Sequence, residues 1–299
     1  MTVLDYEPVA RGSHRSVRVA EFALLLATVG WGCAFTWAKA CQDAINQTFG
    51  LASTAPLGAT WQIAVRFTLA GLLWFAVFPS ARRGWNRRTV LRSVCVGGLL
   101  GVGLSIQHTG LNLTSEAVSA FLTSLTIVFV PLLSTFLLGR TPGAMAWGAV
   151  VVATVGVWLM TGASPAGFGL GEFLGVACAV VFSVHIFVVN AVVPRDDPWR
   201  IAGAQVLVAG LVGLVVTLFV PSGLASLSPT SIARALSQSV VWLNIVLMIL
   251  IPTMFAFGAL TFFQPRLDAT RSALIYLMEP IFAAAYAYVA RARALGWLG

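Results

Sequence analysis

A few polar residues lie inside long apolar stretches of this sequence, where each costs free energy unless it faces a partner or a cavity. A charged one costs at least about 2.5 kcal/mol at the centre of a membrane helix. Gln107 and His108 stand together in one such stretch. A neutral imidazole offers one donor and one acceptor, which suits a zwitterion or a hydroxyl, and it titrates near neutrality, so it can also carry a proton. His185, Thr253 beside Pro252, and Tyr276 with Glu279 belong to the same set. Trp31, Phe35 and Lys39 recur at i, i+4 and i+8 and form one helical stripe. That stripe is either an aromatic wall for a ligand or a packing seam whose Lys snorkels. Ser119, Thr123 and Thr126 form a second stripe, whose hydroxyls satisfy their own helix as readily as a ligand. Glu279 lies about 12 Å into its stretch by the helical rise, either facing a substrate or paired with Arg66, another charge inside apolar sequence. Pro280 leaves the carbonyl of Tyr276 without its helix bond.

Enzyme signatures are absent from the sequence. No H-E-x-x-H, G-x-S-x-G or P-loop occurs, and His14, His108 and His185 have no carboxylate at ligand spacing. No catalytic residue, metal or cofactor is therefore assigned. Without a Walker motif, any transport must be passive or coupled to a proton or another ion.

The elements that position these residues follow from composition. Of 299 residues, 59% are apolar and 9% charged, with a mean hydropathy of +0.90. This excludes a soluble domain, disorder and collagen. Apolar runs fall at about 19–41, 57–78, 93–113, 116–138, 143–161, 170–192, 199–220, 240–263 and 272–289. Each is long enough to span a bilayer. The fold class is an all-α polytopic membrane protein. The first run resembles a cleaved leader only superficially, since it is too long for a signal core and holds Trp31, Trp37 and Lys39.

The net charge of +8 does not point to nucleic acid, because Arg11, Arg15 and Arg18, and Arg82, Arg83, Arg87, Arg88 and Arg92, all abut apolar runs. They read as orientation signals and contacts to anionic lipid. With the amino terminus inside, inner segments collect 13 basic residues and outer segments 4, which sets the amino terminus in the cytoplasm. Cys33, Cys41, Cys95 and Cys178 lack ligand spacing and read as packing residues.

The chain also repeats. "LTSLTIVFVPLLSTFLL" from Leu122 and "RSALIYLMEPIFAAAYA" from Arg271 carry Pro131 and Pro280, 149 residues apart and five spans apart. An odd offset inverts the second copy, which implies two inverted repeats of five helices with a site between them near the midplane. Close packing is expected at Gly97-x-x-x-Gly101, and Leu24 reads as lipid-facing.

On these residues the chain resembles the drug/metabolite transporter superfamily, and in particular its EamA-type members, built as two five-helix repeats. The resemblance rests on Trp31-Gly32 with Phe35 and Lys39, on Arg66, on the segment Gly110 to Arg140, and on Ser272 to Tyr288 with its Glu279-Pro280. The family's Gly-Glu after the fourth and ninth helices reads Gly139-Arg140 in the first half and is absent after Tyr288. The tenth helix is also lacking, and the tail "ARARALGWLG" reads as its start, so the native protein is expected to continue beyond Gly299. The expected organisation is a cytoplasmic tail at 1–18, a first repeat at 19–161 and a second at 162–299.

The resemblance implies a multi-pass inner-membrane exporter of metabolites, commonly amino acids. It is most similar to exporters of aromatic and other hydrophobic amino acids, working by alternating access. A drug or other-metabolite exporter of the same fold and a membrane-embedded enzyme are the rival readings. In the expected site Trp31 and Phe35 pack on the substrate side chain, Gln107, His108 and His185 make polar contacts, and Tyr276 and Glu279 lie at or beside it.

Overall fold

The computed structural model describes residues 14–138 and 168–294, with scattered positions between 144 and 159. Helix α1 (His14–Thr48) is followed by α2 (Pro56–Val77), which opens on a proline whose missing N–H would have had no helix partner anyway. Asn86 caps α3 (Arg87–Leu113) by accepting from the Thr89 N–H at 3.0 Å. The fourth span is broken into α4 (Glu116–Thr123) and α5 (Thr126–Leu138). Then come α6 (Leu170–Val192) and α7 (Pro198–Leu218), the latter capped by Asp197. The eighth span is α8 (Ser239–Met248), a π-helical stretch Ile249–Phe255 around Pro252, and α9 (Ala256–Phe263). The ninth, like the fourth, is split, into α10 (Ala269–Tyr276) and α11 (Glu279–Ala294).

Eight stretches of the described residues are long and apolar enough to cross a membrane. The chain is thus an all-α polytopic membrane protein, with no strand among the described residues. The span expected at 143–161 lies for the most part outside the described residues, as does the end of the tail.

Polar contacts at the helix ends give the spans their directions. Arg271 at the start of the ninth span bridges Glu21 near the start of α1 at 2.7 Å, and further along Trp37 donates to the Tyr286 hydroxyl at 2.7 Å. These two spans are parallel. Arg291, late in the ninth span, reaches Glu116 at the start of the fourth at 3.2 Å, so the fourth and ninth are antiparallel. Lys39, late in α1, donates to the carbonyls of Leu111 and Thr114. Thr114 in turn donates to Glu172 at the start of α6 at 2.6 Å, so α1 and α6 also run in opposite directions.

Packing has the same reciprocity. The first span lies against the eighth and ninth, the sixth lies against the third and fourth, and α2 crosses α7 at the centre. A Cβ on Gly210 of α7 would lie 2.4 Å from the Thr68 amide nitrogen, so at that crossing the backbones touch. Gly97 and Gly101 form the expected close contact, against α7 at Gln205 and Ala209.

Two expectations are corrected. Leu24 is fully buried, because that face of α1 turns into the bundle; Leu72, at 55% exposure, is a residue that faces outward. Lys39 does not snorkel to the surface but caps the carbonyl end of α3, where a cation is favoured. All four cysteines are free; Cys41 and Cys178 are buried, while Cys95 faces outward.

Candidate functional site

Trp31, Phe35, Gln107, His108, His185, Tyr276 and Glu279 all line one cavity of about 100 Å³. Its walls come from the first, third, fourth, sixth, eighth and ninth spans, with Arg66 added from the second. Its lining suits a small organic molecule.

The lining is paired along the chain. Trp31, Ala34 and Phe35 of α1 are matched by Phe182, His185 and Ile186 of α6 at a constant offset of 151 residues. Leu104 and Gln107 match Phe257 and Leu260, and Thr123 and Thr126 match Tyr276 and Glu279, both at 153. The helix caps Ser115 and Asp268 share that 153. Pro131 and Pro280, 149 residues apart, depart from that spacing by four residues, about one turn.

One wall is aromatic. The Trp31 ring packs on Phe257 and Tyr276 with centroids 5.3 and 5.4 Å apart, and its N–H donates to the Pro252 carbonyl at 3.0 Å. Tyr276 presents its ring to the cavity while its hydroxyl points away, donating to Gln264 Oε1 at 2.8 Å. Gln264 donates on to Asn190 at 2.9 Å.

The polar wall is set by two amide relays. Gln42 Nε2 donates to Gln62 Oε1 at 2.9 Å and to His108 Nδ1 at 2.8 Å. His108 Nδ1 therefore accepts, and its proton sits on Nε2. His185 Nε2 meets the acceptor Gln205 Oε1 at 3.3 Å, so there the proton sits on Nε2 and Nδ1 is the acceptor. Gln205 in turn donates to Thr261. In each ring the nitrogen away from its glutamine has no protein partner among the described residues, so one His offers a donor and the other an acceptor. Gln107 donates to Thr123 Oγ1 at 2.9 Å, and that hydroxyl donates back to the Ser119 carbonyl at 2.9 Å.

The expected alternative of an Arg66–Glu279 ion pair is not realised. Arg66 Nε donates to Thr253 Oγ1 at 2.8 Å and Nη1 points to Met248 Sδ at 3.3 Å. Glu279 is 7% exposed and makes no hydrogen bond or ion pair among the described residues. The sequence reading missed Arg66, Phe182 and Phe257 as lining residues. Arg66 was visible as a charge inside apolar sequence, and the two Phe lie 151 and 153 residues after Trp31 and Leu104.

No family model matches the chain. It is 26% identical over 183 residues to an "uncharacterized transporter" of Archaeoglobus fulgidus, across 61% of this chain and 53% of that protein. The chain thus spans about half the length of that curated relative. A solved crystal structure has the same fold, with a TM-score of 0.60 and 22% identity over 93% of this chain and 89% of the other.

Among the described residues no group of His, Cys, Asp and Glu is arranged to hold a metal. The cavity can bind: it offers an aromatic wall, one imidazole donor, one imidazole acceptor, a guanidinium and a carboxyl.

Proposed function

We propose that the protein is a secondary transporter of the EamA type within the drug/metabolite transporter superfamily, exporting neutral amino acids, preferably aromatic or large apolar ones, across the inner membrane. The observation that supports this reading is the paired lining of the cavity, to which residues 151 or 153 positions apart contribute from both halves of the chain. Such a site, between two inverted halves at 19–161 and 162–299, can open to either side by rocking one half against the other. The split fourth and ninth spans and the π-helical turn at Pro252 supply the discontinuities that such motion uses.

The aromatic wall suits an apolar side chain, and the two imidazoles suit the polar end of an amino acid. The amino terminus is taken as cytoplasmic, with Arg82 to Arg92, Arg195 and Arg200 on the same side. The test is release of labelled phenylalanine from loaded proteoliposomes. Release faster than from protein-free vesicles supports the reading, and equal rates reject phenylalanine as substrate.

A further inference from the structure

Arg66 and Glu279 are 2% and 7% exposed, line the same cavity, and are not paired with each other. An uncompensated charge in the bilayer interior is costly, and two opposite ones sharing a cavity would ordinarily join. The contacts of Arg66 lie elsewhere. Arg66 is tied by its Nε to Thr253 and by its Nη1 to Met248, both in the eighth span. Glu279 is held on the first turn of α11, whose backbone packs directly on Gly32 of α1: a Cβ there would lie 3.1 Å from the Glu279 carbonyl and 2.6 Å from the Phe282 Cβ.

We infer that these two side chains read the charged groups of the substrate, Glu279 facing its ammonium and Arg66 its carboxylate. This rests on the amino-acid reading above and adds to it the residues that select a zwitterion. With a zwitterion bound, each buried charge gains a partner and the occupied site is neutral. A bare amine leaves Arg66 without a carboxylate, and a bare acid leaves Glu279 without a cation to hold. Arg66 lines the cavity, and its Nη2 makes no hydrogen bond among the described residues. The His108 N–H and the His185 lone pair add neutral contacts that do not upset this balance.

The experiment measures binding to purified protein with three probes: phenylalanine, phenethylamine, which lacks the carboxylate, and 3-phenylpropionate, which lacks the ammonium. The parent is expected to bind phenylalanine about tenfold or more tighter than either truncated probe. Glu279→Gln is expected to lose about tenfold for phenylalanine and phenethylamine and nothing for 3-phenylpropionate. Arg66→Gln is expected to show the mirror pattern; because Arg66 also braces the eighth span, the parent and Glu279→Gln decide the matter if that variant does not fold. If the parent binds phenylalanine but Glu279→Gln keeps parental affinity for it, or weakens all three probes alike, the charge assignment is overturned. If the parent binds no phenylalanine, the substrate reading itself falls and this assignment with it.

Discussion

The indole N–H of Trp31 donates to the carbonyl oxygen of Pro252 at 3.0 Å, joining the first span to the wide turn of the eighth. In a regular α-helix that carbonyl would be served by the Ala256 N–H, which here donates to Ile251 and Thr253. Trp31→Phe keeps an aromatic ring against Phe257 and Tyr276 but removes the donor. It should lower stability in detergent by about 1–2 kcal/mol, read as a lower unfolding temperature. Parental melting would mean that the carbonyl is satisfied without Trp31.

His108 should matter for export more than its size suggests, since its Nε2–H is held toward the cavity by the Gln42 relay. His108→Ala should slow phenylalanine release about tenfold. Leu72→Ala, on an outward face, should leave it near the parent. If both variants release at the parental rate, His108 is not part of the site.

At the crossing of α2 and α7, Gly210 has no room for a methyl group, whereas Gly98 faces open space. Gly210→Ala should therefore destabilise the protein by about 1–3 kcal/mol, and Gly98→Ala should be close to neutral. Equal melting of the two variants would show that the crossing is looser than the backbone distances indicate.

The loop between α6 and α7 carries the clearest pH dependence. Burial alone would raise the Asp196 carboxyl, but hydrogen bonds from the Asp197 amide and Thr89, with the charges of Arg200 and Arg92, outweigh it and hold Asp196 below the usual carboxylate range. A depressed folded value stabilises the protein above the unfolded value of about 4, and the contribution is lost as pH falls through the folded value. Melting in detergent should thus show Asp196→Asn less stable than the parent at neutral pH, with the gap closing below about pH 4. A gap independent of pH would contradict this.

The span pattern was legible because some twenty consecutive apolar residues admit few other structures. The polar candidates Gln107, His108, His185, Tyr276 and Glu279 share one cavity because a polar side chain within such a span turns inward. Which way a purely apolar face turns was not legible: Leu24 and Leu72 look alike in sequence, and only packing buries one and exposes the other. The destination of a long side chain was equally hidden. Lys39 reaches the end of α3, and the Tyr276 hydroxyl joins Gln264 instead of the cavity, because its partners come from spans remote in sequence. The 149-residue spacing of the prolines differs by four residues, about one turn, from the 153-residue spacing of the caps at Ser115 and Asp268.

Counterflow tests the central claim most directly, because it requires one site that faces each side of the membrane in turn. Proteoliposomes loaded with unlabelled phenylalanine and diluted into a trace of the labelled amino acid should show transient accumulation of label above equilibrium. Empty vesicles should show none, and vesicles carrying Glu279→Gln a smaller overshoot. Label that only equilibrates, at the same rate with and without the parent protein, would contradict the account.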